Sequence, residues 1–299
     1  MKSILTIEGM TSAELSSLVS SGLAFKEQLA AGAPDRILQG DVVATLFFEP
    51  STRTRLSFEL AARHLGAEVI TFWPGSSSMA KGETEVDTAH VVASMGATTL
   101  IVRHATPGVP THIAARVPVA VVNAGDGAHQ HPTQALADCL ALQQRFGGIS
   151  GLRINFVGDI AHSRVFRSCA RAFELLGAKV TLVAPSTLLP PAAAEWGYAI
   201  SSDLDGVIGD CDVVYLLRVQ RERGGGGRFP SESELHRRFG LTAERRERLS
   251  PDTAIMHAGP FNRGVELDQE APEDPRSLIW EQVACGVPVR MAVLAAVGQ

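Results

Sequence analysis

The sequence predicts an α/β protein of two domains, each a mainly parallel sheet flanked by helices. Two observations carry that expectation. The 299 residues are about twice the usual length of one domain, and apolar runs rich in Val, Ile, Leu and Phe alternate with stretches of helical spacing, the rhythm of a parallel sheet buried on both faces. A first set of runs falls at 42–48, 67–72, 100–102 and 119–122. The helix after the first run is well marked, because Ser51 or Thr52 can cap it, Leu56, Leu60 and Ala61 recur on one face, and Gly66 ends it. A second set opens with the helical stretch 133–146 and continues through strands at 154–157, 180–183, 213–217 and 254–256. The apolar series in 284–297 reads as a closing helix that returns to the first domain. The expected domains are therefore 1–132 joined by 284–299, and 133–283.

With 45% hydrophobic and 20% charged residues, the chain has the balance of a globular protein rather than a disordered one. Its net charge of −5 draws it neither to nucleic acid nor to a membrane surface, so any anion must be caught locally. No apolar run reaches membrane-spanning length and the first residues lack the features of a secretory signal, so a cytoplasmic location is expected. Cys139, Cys169, Cys211 and Cys285 are widely spaced without a CxxC pair, which favours buried thiols over a zinc knuckle or disulfides, and no metal site is expected. Gly224 to Gly227, among Arg221, Glu222, Arg223 and Arg228, read as a surface loop, either a plain connector or a lid.

The chemistry concentrates in Phe47-Phe48-Glu49-Pro50-Ser51-Thr52-Arg53-Thr54-Arg55, where a buried strand ends and a helix begins. Backbone N–H groups at a helix start carry partial positive charge, so an oxyanion finds donors there. Arg53 can grip phosphate oxygens in a two-pronged fashion, and Ser51, Thr52 and Thr54 supply neutral donors. Arg103 ends another strand, at the sheet edge where ligands of open α/β folds collect. His131 and Gln134, three apart at a helix start, can face one ligand.

Ser51-Thr52-Arg53-Thr54-Arg55 resembles the shared carbamoyl phosphate motif of the aspartate and ornithine carbamoyltransferases. Further blocks follow in that family's order: Lys81-Gly82-Glu83-Thr84, Val102-Arg103-His104, Asn123 to Gly127, His131-Pro132-Thr133-Gln134, Gly158-Asp159 with Arg164, Arg218-Val219-Gln220 and Val289-Arg290-Met291. The resemblance implies a carbamoyl phosphate domain followed by an amino-acid domain, with Ser51, Thr52, Arg53 and Lys81 on the phosphate. It also implies Thr54, Arg103 and His131 on the carbonyl oxygen, and Gln134 on the carbamoyl NH2. Ser77 or Ser78, Gly259 and Pro260 complete the carbamoyl phosphate ligands, with a cis peptide fitting the Gly259-Pro260 step. The loop carrying Lys81 would reach into the next subunit of a homotrimer. No cofactor is needed, since phosphate is already a good leaving group and the protein supplies positioning and charge.

The acceptor amine is chosen by the second domain, and that domain offers cations. Arg164 and Arg218, with Gln220, match the two carboxylates of aspartate, with Lys81 reaching both substrates. Ornithine enzymes carry Ser-Met-Gly where this chain has Leu217-Arg218-Val219-Gln220, and His-Cys-Leu-Pro where it reads His257-Ala258-Gly259-Pro260. Ala258 departs from the proline common in aspartate enzymes. The expectation is carbamoyl transfer to L-aspartate in de novo pyrimidine biosynthesis, with domain closure and movement of 224–227. The rivals are transfer to another amine such as ornithine, or a non-catalytic phosphate-binding regulatory module. Whether regulatory chains or a dihydroorotase join the assembly is left open.

Overall fold

The computed structural model describes residues 3–76, 82–220 and 231–298. The chain forms two compact units, Met1–Leu140 with Arg167–Cys169 and Ala284–Gln299, and Ala141–Phe166 with Ala170–Val283.

The first unit contains α1 (Ser12–Ala30), β1 (Val42–Phe47), α2 (Thr52–His64), β2 (Glu68–Phe72), α3 (Glu85–Ser94), β3 (Thr99–His104), α4 (Val109–Ala114) and β4 (Ala120–Asp126). The strands are all parallel, in the order β2-β1-β3-β4. β1, β3 and β4 are buried almost throughout, whereas edge strand β2 is only partly covered. Ala44, Leu46, Leu100, Val102 and Val121 form the core with Ala89, Val92 and Ile113. Capping boxes start α1, through Thr11 and Glu14, and α3, through Thr84 and Asp87.

Two details of α2 refine the expectation. Gly66 does end it, with a φ of 90° that favours glycine and a backbone N–H donating to Arg63 O. The buried face, however, is Thr54, Phe58, Ala61 and Ala62, while Leu56 and Leu60 are each 49% exposed. Ala61 faces the core as expected and the two leucines do not. They stand one turn apart on a different face of the helix.

α5 (Pro132–Phe146) leads to the second unit, with β5 (Arg153–Gly158), α6 (Arg164–Leu175), β6 (Lys179–Val183), β7 (Ala199–Ser201), β8 (Val213–Leu217), α7 (Glu232–Phe239), α8 (Ala243–Arg248), β9 (Ala254–Met256) and α9 (Ile279–Ala284). Its parallel sheet has the order β7-β6-β5-β8-β9. Phe156 anchors the core, 5.2 Å from Phe166, 5.9 Å from Phe173 and 4.9 Å from Tyr215, ring centre to ring centre. The three-residue β7, largely exposed, has no counterpart among the predicted strands.

The last segment is helical, as expected: α10 (Gly286–Val297) packs on α1 and α2. A Cβ on Gly22 would lie 3.0 Å from Val289 Cγ2, so glycine permits that close approach. The stretch Ile279–Val297 corrects one expectation, because its 19 residues do meet the length and composition of a membrane span. Two-thirds of it (67%) is buried inside the protein, as in the core helix of a globular fold.

Candidate active site

In each sheet the chain changes direction once. From β1 it moves outward to β2, and from β3 it moves the other way to β4, so β1 and β3 flank the switch point. At such a point the loops leaving two adjacent strands diverge and open a crevice at the carboxyl ends. The predicted anion ligands converge there. Ser51 to Thr54 begin α2 directly after β1, and Arg103, near the end of β3, is the register partner of Phe47. Ser51 holds the cap position with φ −161° and ψ 113°, but its side chain makes no capping bond, and the first turn contains no acid. The turn thus keeps its positive end uncompensated by its own side chains. Thr52 and Arg53 are exposed and Thr54 is buried. Arg55 is held elsewhere, with its guanidinium 4.2 Å from the Trp73 ring centre and its Nε 3.8 Å from Glu59.

Arg103 is only 8% exposed and is gripped from two sides. Its Nη2 lies 3.1 Å from Glu49 Oε2, and its Nη1 donates to Ala124 O at 3.1 Å. The Asn123 to Gly127 block thereby gains a structural purpose: Asn123 Nδ2 donates to Asp126 Oδ1 at 2.9 Å and Gly125 N donates to Asn123 Oδ1 at 2.8 Å, shaping the end of β4, whose Ala124 carbonyl meets Arg103.

His131 precedes Pro132, the first residue of α5. Its backbone N–H donates to Ser168 Oγ at 2.8 Å, and Ser168 Oγ donates to Gln130 Oε1 at 2.6 Å. Gln134 Nε2 donates to Asp138 Oδ1 at 2.8 Å, one turn further along the helix. Asp138 is fully buried and its Oδ2 receives the Cys169 thiol at 3.2 Å. Buried Arg290 of α10 donates to Gly286 O and lies 5.0 Å from the Phe58 ring centre. Burial pushes its guanidinium down to about 10, against the opposing attraction of Asp138. Burial likewise pushes Cys139 well above the ordinary thiol value and Cys211 up to about 12, so both are neutral thiols rather than nucleophilic thiolates.

In the second unit the switch point lies between β5 and β8. Arg164 opens α6 after β5, behind Ser163, whose Oγ accepts from Phe166 N at 3.1 Å. Arg218 follows β8 directly and is half-buried, and Arg164 and Gln220 are buried. Two buried carboxylates hold consecutive backbone N–H groups beside Arg218. Val219 N donates to Glu266 Oε1 and Gln220 N to Asp159 Oδ2, each at 3.0 Å. The other oxygen of Asp159 accepts from His162 N at 3.2 Å and lies 2.8 Å from His162 Nδ1, in the loop leading to Arg164. The other oxygen of Glu266 accepts from Asn262 N at 2.7 Å. Gly259-Pro260 is a cis peptide. Gly259 N donates to His257 Nδ1 at 2.8 Å, and His257 N donates to Gln282 Oε1 at 2.9 Å, so this loop is fastened on both sides of Ala258.

Within the first unit, the structure brings Ser51, Thr52, Arg53, Thr54 and Arg103 to one switch point, and Arg164, Arg218 and Gln220 meet the other. His131 stands just before α5 and Gln134 in its first turn, where Gln134 N donates to His131 O at 3.0 Å. Ser77, Ser78, Lys81 and Gly224 to Gly227 lie outside the described residues. Sequence reasoning gave no supporting role to the carboxylates Glu49, Asp138, Asp159 and Glu266, although Glu49 and Asp159 stand inside blocks that it singled out. Asp138, four residues after Gln134 on one helix, had a signal in its spacing.

Known proteins resemble this chain along almost its whole length. Residues 2–144 match the family model for the aspartate/ornithine carbamoyltransferase carbamoyl-P binding domain, and residues 150–297 match that for the Asp/Orn binding domain. The aspartate carbamoyltransferase catalytic subunit of Maricaulis maris is 50% identical over 269 residues, 89% of this chain and 84% of that protein. That of Corynebacterium urealyticum is 44% identical over 297 residues, 98% of this chain and 95% of that protein. Among solved structures, aspartate transcarbamoylase from Trypanosoma cruzi in complex with N-(phosphonacetyl)-L-aspartic acid superposes with a TM-score of 0.90 at 31% identity, covering 99% of this chain and 95% of that one. The same enzyme with aspartate and phosphate gives 0.88 at 31% identity, covering 99% and 96%.

Proposed function

Because the chain belongs to the aspartate/ornithine carbamoyltransferase family, we propose that it transfers the carbamoyl group of carbamoyl phosphate to the amine of L-aspartate. The products are N-carbamoyl-L-aspartate and phosphate, a step of de novo pyrimidine biosynthesis. The observation that carries this reading is the cluster of hydroxyls, helix-start N–H groups and arginines at the β1/β3 switch point. Ser51, Thr52 and Arg53 take the phosphate, and Thr54, Arg103 and His131 face the carbonyl oxygen. Gln134 takes the carbamoyl NH2, and Gly259 and Pro260 add backbone contacts to carbamoyl phosphate. Arg164, Arg218 and Gln220 hold the carboxylates of aspartate.

In the reaction the deprotonated amine attacks the carbonyl carbon, the oxygen gains negative charge, the C–O bond to phosphate breaks and the nitrogen gives up a proton. Fixed donors aimed at that oxygen lower the barrier because they need no reorganisation as the charge develops. Arg103, held by Glu49 and Ala124 O, suits this task. Aspartate is favoured over ornithine by the two arginines around the β5/β8 switch point, and by relatives named for aspartate.

The working assembly is a cytoplasmic homotrimer in which Lys81 of one subunit serves the site of the next. In support, Leu56 and Leu60 on α2, and Val91 on α3 with Met95 at its C-cap, are exposed apolar pairs each one turn apart, a pattern suited to covering by other chains. The function is tested by offering carbamoyl phosphate with aspartate or ornithine in separate assays. Carbamoyl-aspartate forms and citrulline does not; citrulline as the main product overturns the reading.

A further inference from the structure

The structure assigns to Asp138 the task of setting which end of the Gln134 amide meets the substrate, and hence the preference for an acyl phosphate that bears N–H. The two ends of a glutamine amide have nearly the same shape and opposite hydrogen-bonding character, so its neighbours decide which end points where. A carboxylate only accepts. Asp138 Oδ1, 2.8 Å away, therefore claims Nε2 and leaves Oε1 as the end turned away from it. Oε1 accepts no hydrogen bond among the described residues, and Gln134 is only partly buried.

The carboxylate is itself provided for. The Cys169 thiol reaches Oδ2 at 3.2 Å, and the buried guanidinium of Arg290 supplies a countercharge from α10. Buried charge without such compensation is costly. An acceptor facing the ligand gains a hydrogen bond from a carbamoyl NH2 and meets a methyl in the otherwise similar acetyl phosphate. A site built to bond a polar group rejects the analogue that lacks it, because its own polar atom is left unpaired. Asp138 touches no substrate and acts through Gln134. This inference rests on the reading that Gln134 faces the carbamoyl group.

The test uses the full chain and measures KM for carbamoyl phosphate, Ki for acetyl phosphate and Ki for inorganic phosphate. Asp138→Asn lets the amide turn either way, but it strips Arg290 of its countercharge. The double variant Asp138→Asn with Arg290→Met removes both charges and guards against misfolding. In the folded variant, the ratio of acetyl phosphate Ki to carbamoyl phosphate KM falls by about 10-fold or more, while inhibition by inorganic phosphate stays as in the wild type. A folded variant that keeps the wild-type ratio overturns the inference, as does one that loses phosphate affinity to the same extent. A wild-type protein that does not prefer carbamoyl to acetyl phosphate defeats the proposed function itself, and this inference with it.

Discussion

Arg53 and Arg55 lie two residues apart in the same motif and are put to different uses. Arg55 is occupied by Trp73 and Glu59 on the outer side of α2, whereas Arg53 stands exposed in the first turn beside hydroxyls not used for capping. Arg53→Ala is expected to raise the KM for carbamoyl phosphate about 100-fold, the scale of losing paired charge-assisted hydrogen bonds. Arg55→Ala should change it only a few-fold, and steady-state kinetics with carbamoyl phosphate varied separates the two. By the same logic Arg218→Ala should raise the KM for aspartate by about 100-fold and leave that for carbamoyl phosphate nearly unchanged. Away from the site, Asp274 is embraced by Arg276, at 2.9 and 2.8 Å, and by Arg246 at 3.2 Å. Hydrogen bonds from Arg276 lead the causes that hold its carboxyl well below the usual carboxylate range. A depressed folded-state pKa contributes stability above the unfolded value, about 3.9, and that stability is lost as pH falls below it. Asp274→Asn should therefore lower Tm at pH 7, and the gap from wild type should narrow below about pH 4 in melts recorded across pH.

At the scale of elements, the loops rely on acceptors buried beneath them. Glu266 joins the Arg218 loop to the one after Pro260 by accepting from Val219 N, Asn262 N and Asn262 Nδ2. Glu266→Ala leaves buried N–H groups unpaired, an expected loss of about 3 kcal/mol in urea unfolding together with a raised KM for aspartate. Glu266→Gln retains an oxygen acceptor and should lose less on both measures. Such acceptors were hidden from sequence reasoning because Val219 and Glu266 are 47 residues apart, and only folding brings them together. The strands were legible, since a strand buried on both faces must be apolar along its length, and so were the ligand motifs, whose residues are contiguous. The short and exposed β7 carries no such pattern. The face of α2 was misread for a related reason. Helical spacing shows that Leu56 and Leu60 share a face, but says nothing of what that face meets, while Phe58 and two alanines fill the core.

For the whole molecule, a shared site makes a prediction that no single chain can satisfy. Arg53→Ala chains and Lys81→Ala chains are each expected to be nearly inactive alone. Unfolded and refolded together in equal amounts, they should regain up to roughly a quarter of wild-type activity, because random mixing in a closed ring pairs an intact Arg53 with a neighbour's intact Lys81 at one site in four. Recovery no greater than the sum of the separate chains would exclude sharing. The two switch points bear on how this protein can change. Of the residues proposed to recognise the donor, Ser51 to Thr54 and Arg103 hang on the β1/β3 junction, while Arg164, Arg218 and Gln220, proposed for the acceptor, hang on the β5/β8 junction, in sheets that have no strand in common. Retargeting the enzyme to a different amine thus becomes a loop-grafting exercise at the rim around Arg164, Arg218 and Gln220, with the Ser51 to Thr54 turn and Arg103 carried over unedited.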